Sequence, residues 1–121
     1  PNGVWQVTQT ADDLVKMGLL RSVAQDFAGV TTLTFKDGKS LEVWQGEQGK
    51  TGKCQANYEV VGDVVRFTYF GSPDECPNRV DEMQWRLDDQ GLLHLHLVST
   101  KNAPFIEIRA YLEAKPWQKV K

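Results

Sequence analysis

The sequence predicts an all-β domain, an eight-stranded antiparallel up-and-down barrel with a short helical segment between strands 1 and 2. Short segments of alternating apolar and polar residues recur about every 8–12 residues along the chain. Turn signals such as Asp37-Gly38 and Gly62-Asp63 separate most of these segments, as in consecutive β-hairpins. The chain shows no heptads, no internal repeats and few long connections. These features favour a meander that closes into a barrel over its main alternative, a two-sheet sandwich.

The first strand and the helical segment after it have different patterns. Gly3–Gln9 alternates as a strand, and Thr10 or Asp12 then offers a helix cap. A second helical turn follows and ends at Gly29. Apolar side chains at helical spacing predict a helix that covers one end of the barrel as a lid or plug: Leu14, Met17 and Leu20.

The remaining seven predicted strands follow one another with polar or glycine-containing connections. Leu33 and Phe35 mark the apolar face of the second strand, and Leu41 and Val43 mark that of the third. The seven strands are residues 30–35, 40–45, 54–61, 64–70, 82–87, 92–98 and 104–114. Together with the first strand they complete the predicted barrel.

Length and composition fit a single globular domain, residues 1–121. Apolar residues make up 40% and charged residues 25% of the 121 residues, which is ordinary for a globular protein. The formal net charge of −2 gives no general attraction for nucleic acid or anionic lipid. No apolar run approaches the roughly 20 residues of a membrane-spanning helix. Because the first residue is Pro1 rather than Met, we expect a processed or trimmed chain.

The two cysteines, Cys54 and Cys76, are candidates for a disulfide. If Gly62-Asp63 is a tight turn, Cys54 lies opposite about position 71, and the polar loop that follows can bring Cys76 back to it. Such a bond would contribute about 3 kcal/mol and would indicate an oxidising compartment. Two unrelated thiols are the alternative. A catalytic cysteine is disfavoured because no histidine is near either one in the sequence.

A Gly-x-Trp motif at Gly3 and Trp5, then a short helix and a meander of hairpins, resembles the calycin group, the lipocalins and fatty-acid-binding proteins. The resemblance implies that Trp5 packs across the closed end of the barrel under a basic residue of the last strand, here Arg109. Both residues would be mainly structural.

A closer resemblance is to a small lipocalin-like domain of bacterial extracytoplasmic proteins, through "PNGVW", "CQANYEVVGDVVRF" and "AKPWQKV". That domain occurs alone or attached to solute-binding proteins of transport systems. The resemblance therefore implies a secreted, periplasmic or cell-surface location, with a solute-binding or transport component as a candidate partner.

His94 and His96 are the weak candidates for catalysis. They alternate with three leucines whose apolar run is expected to face the core, which would turn the histidines to solvent. On the inner face they could act as acid and base or bind a metal, but the sequence identifies no third ligand. No metal site and no cofactor-binding motif is predicted.

Aromatic residues on the predicted strands are the candidate ligand-binding residues. Such side chains line small-molecule cavities, and they equally fill ordinary cores. The candidates are Phe35, Tyr58, Phe67, Tyr69 and Trp85, with Arg109 as a polar anchor.

Three functional hypotheses follow. The first is a non-enzymatic extracytoplasmic barrel that binds a small, largely apolar or amphipathic molecule without a cofactor. The second is a small barrel enzyme, a cyclase or isomerase, that shapes a reactive substrate with help from a histidine or tyrosine. The third is an accessory interaction module of a transport system with a filled barrel. An internal cavity distinguishes the first two hypotheses from the third.

Overall fold

One curled antiparallel sheet contains most of the chain in the computed structural model, which describes residues 2–70, 76 and 78–120. The sheet forms a half barrel, with strand order β7-β6-β5-β4-β3-β2-β1-β8, so the first seven strands are an up-and-down meander, as predicted. The strands are β1 (Gly3–Gln9), β2 (Gly29–Lys36), β3 (Lys39–Gly46), β4 (Thr51–Val61), β5 (Val64–Phe70), β6 (Val80–Leu87), β7 (Leu93–Lys101) and β8 (Gln118–Lys119). The helices are α1 (Ala11–Lys16), α2 (Arg21–Phe27) and α3 (Phe105–Glu113).

The prediction of an eighth strand over residues 104–114 is wrong, because helix α3 lies there. Its buried residues Ile108, Tyr111 and Leu112 are spaced as one face of a helix. Ile106, which strand alternation would place beside Ile108, is instead 60% exposed. The helix packs against β7, so it supplies a helical cover where the sequence predicted a barrel strand.

The C-terminal segment returns to the first strand. In β8, Lys119 pairs with Trp5 of β1. Just before β8, Trp117 exchanges backbone hydrogen bonds of 2.9 and 2.8 Å with Leu93 of β7. This short segment therefore lies between the two ends of the meander.

The Asp37-Gly38 turn fixes the register of β2 against β3. Both residues have positive φ, 52° and 79°, as this type of two-residue hairpin turn requires. The turn places Leu33 opposite Glu42, and both side chains are buried. The prediction that Leu41 and Val43 form the inner face of β3 is therefore wrong, because these two residues are only half-buried. The inner face of β3 consists of Ser40, Glu42 and Trp44.

Helices α1 and α2 form a short pair between β1 and β2. Thr10 caps α1, accepting a hydrogen bond from the Asp13 backbone while the Asp13 carboxylate accepts one from Thr10. Leu14 is fully buried, as expected of a lid residue, but Leu20 is 74% exposed and Leu19 is buried instead. The pair packs on α3 through a cluster of small and apolar side chains: Leu14, Leu19, Ala24, Ala28 and Ala110. Among the described residues, no helix has the length and apolar character needed to cross a membrane.

Gly29 marks the point where α2 gives way to β2, and we expect Gly29→Ala to destabilise the fold strongly. A Cβ at this position would lie 2.1 Å from the Gln45 carbonyl oxygen, with φ at +149°. Gly18→Ala is the matched control, because Gly18 also has positive φ, +106°, but its Cβ would meet nothing within 4 Å. Urea unfolding should show a loss of about 2–3 kcal/mol for Gly29→Ala and a clearly smaller loss for Gly18→Ala. Equal losses would contradict the close approach of the two backbones.

Candidate binding site

A cavity of about 860 Å³ opens at the end of the half barrel that carries the helices; we call it the helical-end cavity. One wall is β3, where the Trp44 indole donates a 3.1 Å hydrogen bond to the Phe27 carbonyl at the end of α2. The opposite wall is α3, through Ile108 and Tyr111. The lining is mainly apolar, and the volume is in the range of small-molecule sites.

The mouth of the cavity lies between α2 and the β3–β4 connection. Asp26 at the end of α2 and Lys50 in the connection form an exposed ion pair of 3.8 Å across it. Asn102 and Ala103, between β7 and α3, complete the rim. Exposed ion pairs contribute little to stability, so this contact adds little to the fold.

Below the cavity lies a layer of charged groups, the buried ionic layer: Glu42, Arg79 and Asp81. The Arg79 guanidinium donates from Nε and Nη2 to Asp81 at 3.0 and 2.7 Å. The Thr100 hydroxyl donates a 2.6 Å hydrogen bond to the same carboxylate. Arg79 also stacks 4.3 Å from the centre of the Tyr69 ring. Asp81 is fully buried and Arg79 is 6% exposed, so each charge depends on the other for compensation.

Glu42 is the excess carboxyl group of this layer. It faces the cavity, is 7% exposed, and lies 4.0 Å from Nη1 of Arg79, beyond hydrogen-bond distance. Burial raises the pKa of Glu42; the Arg79 charge opposes this shift and the Asp81 charge adds to it. Within the part of the chain that the structure describes, Glu42 is thus a buried carboxyl group without a close cationic partner of its own.

The Tyr111 hydroxyl also faces this region without a partner. It is buried, and among the described residues no group forms a hydrogen bond with it. Burial and the nearby Glu42 carboxylate both raise the pKa of Tyr111, so the phenol stays protonated. A buried hydroxyl without a partner costs free energy, which a ligand with a suitable polar group would recover.

The disulfide predicted between Cys54 and Cys76 is present, with the Cα atoms 5.7 Å apart. It joins β4 to the segment before β6 and forms part of the cavity wall. Cys54 lies opposite Glu42 in the sheet, and the Cys76 sulfur is 3.9 Å from Nη1 of Arg79. The bond therefore ties the segment just before Arg79 to β4, next to Glu42 of β3.

Four of the predicted binding residues form one packed group at the other end of the half barrel, the aromatic layer: Phe35, Tyr58, Phe67 and Trp85. Their ring centres lie 5.4 to 6.2 Å apart, mostly edge to face. Tyr69 lies between this layer and the cavity, beside Phe67 and under Arg79. The half barrel is thus packed with aromatic side chains at one end and has an open cavity at the other.

Arg109 lies on the exposed side of α3, away from these aromatic residues. It cannot be the last-strand partner of Trp5, because its segment is helical. The cation over the buried Trp5 ring is Lys119 of β8, with Nζ 5.8 Å from the ring centre. The pairing of Trp5 with Arg109 is therefore corrected to a pairing with Lys119.

His94 and His96 lie on the outer face of β7, whereas the leucines between them are buried as expected. His94 Nε2 is 2.8 Å from Asp88, and the more exposed His96 has Nδ1 3.3 Å from Glu113. Neither histidine lines the helical-end cavity. Among the described residues, no three His, Cys, Asp or Glu side chains are grouped to hold a metal ion.

The sequence reasoning missed Glu42, Arg79 and Asp81, and it placed the aromatic Tyr111 on a strand instead of on α3. Two signals could have found part of this set. The Asp37-Gly38 turn alone places residue 42 opposite Leu33, and Asp81 lies two residues before the buried Met83, on the same face of β6. Arg79 lies just before β6, so the alternation of the strand does not predict whether it is buried.

Comparison of this chain with protein-family models, with curated proteins and with solved structures finds no match. The fold and site therefore define a class by geometry alone: a curled antiparallel half barrel with a cavity under its helices and charged groups beneath that cavity.

Proposed function

We propose that this chain is an extracytoplasmic, lipocalin-like binding domain that takes a small, largely apolar molecule into the helical-end cavity. One observation carries the proposal: the half barrel has an open cavity at the helical end, with a mainly apolar lining and a volume suited to a small molecule. Transfer of an apolar ligand from water into such a space is favourable by roughly 25 cal/mol per Å² of apolar surface buried.

The disulfide supports the proposed compartment. Disulfides form and persist outside the reducing cytosol, and the Cys54–Cys76 bond is part of the cavity wall itself. A site built around a disulfide suits a protein that works in an oxidising environment. The link to a transport system is a further part of the proposal, resting on the sequence resemblance.

A cavity-filling substitution tests this function. Ala103 is half-buried at the rim, so Ala103→Trp should place an indole in the mouth and weaken binding of the uncharged fluorescent probe N-phenyl-1-naphthylamine about tenfold. Val98→Trp is the control, because Val98 is exposed on β7. Probe fluorescence titrations of both variants measure the effect. No probe binding to the unmodified protein, or equal weakening in the two variants, would contradict the proposed site.

A further inference from the structure

Resting on the proposed function, we propose that the helical-end cavity selects a ligand whose apolar body ends in a protonated amine, held by Glu42 and Tyr111, and that it discriminates against carboxylates. The argument depends on which groups below the cavity are already paired and which are not.

Arg79 is already paired with Asp81. Two of its nitrogens donate to that carboxylate at 3.0 and 2.7 Å, and its face covers the Tyr69 ring. The guanidinium and the Asp81 carboxylate neutralise each other, so this cation is not an open anchor for an anionic ligand. Only Nη1 is turned toward the cavity side, where it meets Glu42 and the Cys76 sulfur.

Glu42 is the group left over. It is nine-tenths buried and lines the cavity, Nη1 of Arg79 is 4.0 Å from its carboxylate, and the Tyr111 hydroxyl lies near enough to lower its pKa. A ligand ammonium group would supply the charge and donors that this carboxylate lacks. A ligand carboxylate would instead lie beside Glu42 and would compete with it for the remaining nitrogen of Arg79.

Tyr111 supplies the second contact. Its hydroxyl oxygen is buried, lacks a partner among the described residues, and lines the same cavity from α3. Near Glu42, this oxygen can accept one of the three N–H donors of an ammonium group while the carboxylate accepts another. Two acceptors, one from β3 and one from α3, define a polar end of the cavity, whose lining also includes the charged residues Asp26, Lys50 and Lys53.

The pH response of this site follows from the groups around Glu42. The raised pKa of the Glu42 carboxyl means that its charged form is costly in the empty cavity, and a bound ammonium would stabilise that form. The groups that face it are Arg79, Asp81, Tyr69 and Tyr111, of which both tyrosines have raised pKa values and stay neutral. Amine binding should therefore release a proton and strengthen as the pH rises through the Glu42 pKa.

Three ligands of equal chain length test the selectivity: decylamine, decanol and decanoate, each used below its micelle concentration to displace N-phenyl-1-naphthylamine. We expect decylamine to bind about tenfold more tightly than decanol, and decanoate to bind most weakly. In Glu42→Gln the advantage of decylamine over decanol should be lost. Glu59→Gln, an exposed carboxylate on β4, is the matched control and should keep it.

The outcomes separate the two proposals. If decanol or decanoate displaces the probe as well as decylamine does, the cavity binds ligands but the amine preference is overturned. If none of the three displaces the probe, both the proposed function and the amine preference are contradicted. Should Glu42→Gln fail to fold, Tyr111→Phe serves instead: a decylamine affinity reduced about threefold, with decanol unchanged, supports the site. An unchanged decylamine affinity in Tyr111→Phe overturns it.

Discussion

Replacing Asp81 by alanine is expected to lower the free energy of unfolding by about 3–5 kcal/mol, among the largest effects of any single substitution in this protein. Asp81 is fully buried and accepts hydrogen bonds from Arg79 and Thr100. Without it, the Arg79 guanidinium keeps, among the described residues, only Glu42 as a buried counter-charge, 4.0 Å away. The loss should therefore come from an uncompensated cation and not from a missing contact alone.

The measurement is urea unfolding of Asp81→Ala beside Asp89→Ala, an exposed aspartate in the β6–β7 turn that should change stability by less than about 0.5 kcal/mol. A double variant, Arg79→Met with Asp81→Leu, removes both charges and should recover a large part of the loss. If the double variant is as unstable as Asp81→Ala, the cost lies in packing and the uncompensated-charge explanation is wrong.

The meander was predictable because local chemistry fixes it. Asp37-Gly38 and Gly62-Asp63 each impose a two-residue turn, and each turn sets the register of the two strands it joins, as in the Val61↔Val64 pair. The burial of Leu93, Leu95 and Leu97 followed from period-two alternation for the same reason. Such features need only neighbours in sequence.

Helix α3 was not predictable in this way, because its apolar residues fit both the two-residue period of a strand and the 3.6-residue period of a helix. Ile106, Ile108 and Ala110 alternate as in a strand, while Ile108, Tyr111 and Leu112 are spaced as in a helix. Tertiary contacts decide between helix and strand here. Ala110 packs against the α1–α2 pair, and Trp117, not residues 104–114, pairs with β7. Neither contact can be read from the local sequence.

The candidate binding site was hidden because its polar members contradict the usual pattern. A glutamate or aspartate on a strand normally indicates the solvent face, so the sequence pattern predicts Glu42 and Asp81 on the outside. They are tolerated inside because Arg79, from outside the regular strands, supplies a charge to the same layer. The aromatic residues that did attract attention fill the opposite end, since large rings satisfy one another by edge-to-face packing.

Removing the disulfide by Cys54→Ser together with Cys76→Ser is expected to cost about 3 kcal/mol. The bond closes a loop with a sequence separation of 22, and its loss returns conformational entropy to the unfolded chain. Urea unfolding of the double variant and of the reduced native protein measures this cost, and the two should agree. A midpoint close to that of the oxidised protein would contradict the prediction.

The slope of the free energy of unfolding against urea concentration shows whether the disulfide acts on the unfolded or on the folded state. Without the bond the unfolded chain is more expanded and exposes more surface, so the slope should rise as the midpoint falls. Without denaturant, Arg79 still has Asp81 as its partner, and the cavity keeps its apolar walls of Phe27, Trp44 and Ile108. Probe affinity in the double variant should then remain close to that of the oxidised protein. If probe binding weakens while the slope stays unchanged, the disulfide instead maintains the shape of the cavity. Its main effect would then be on ligand affinity and not on the unfolded chain.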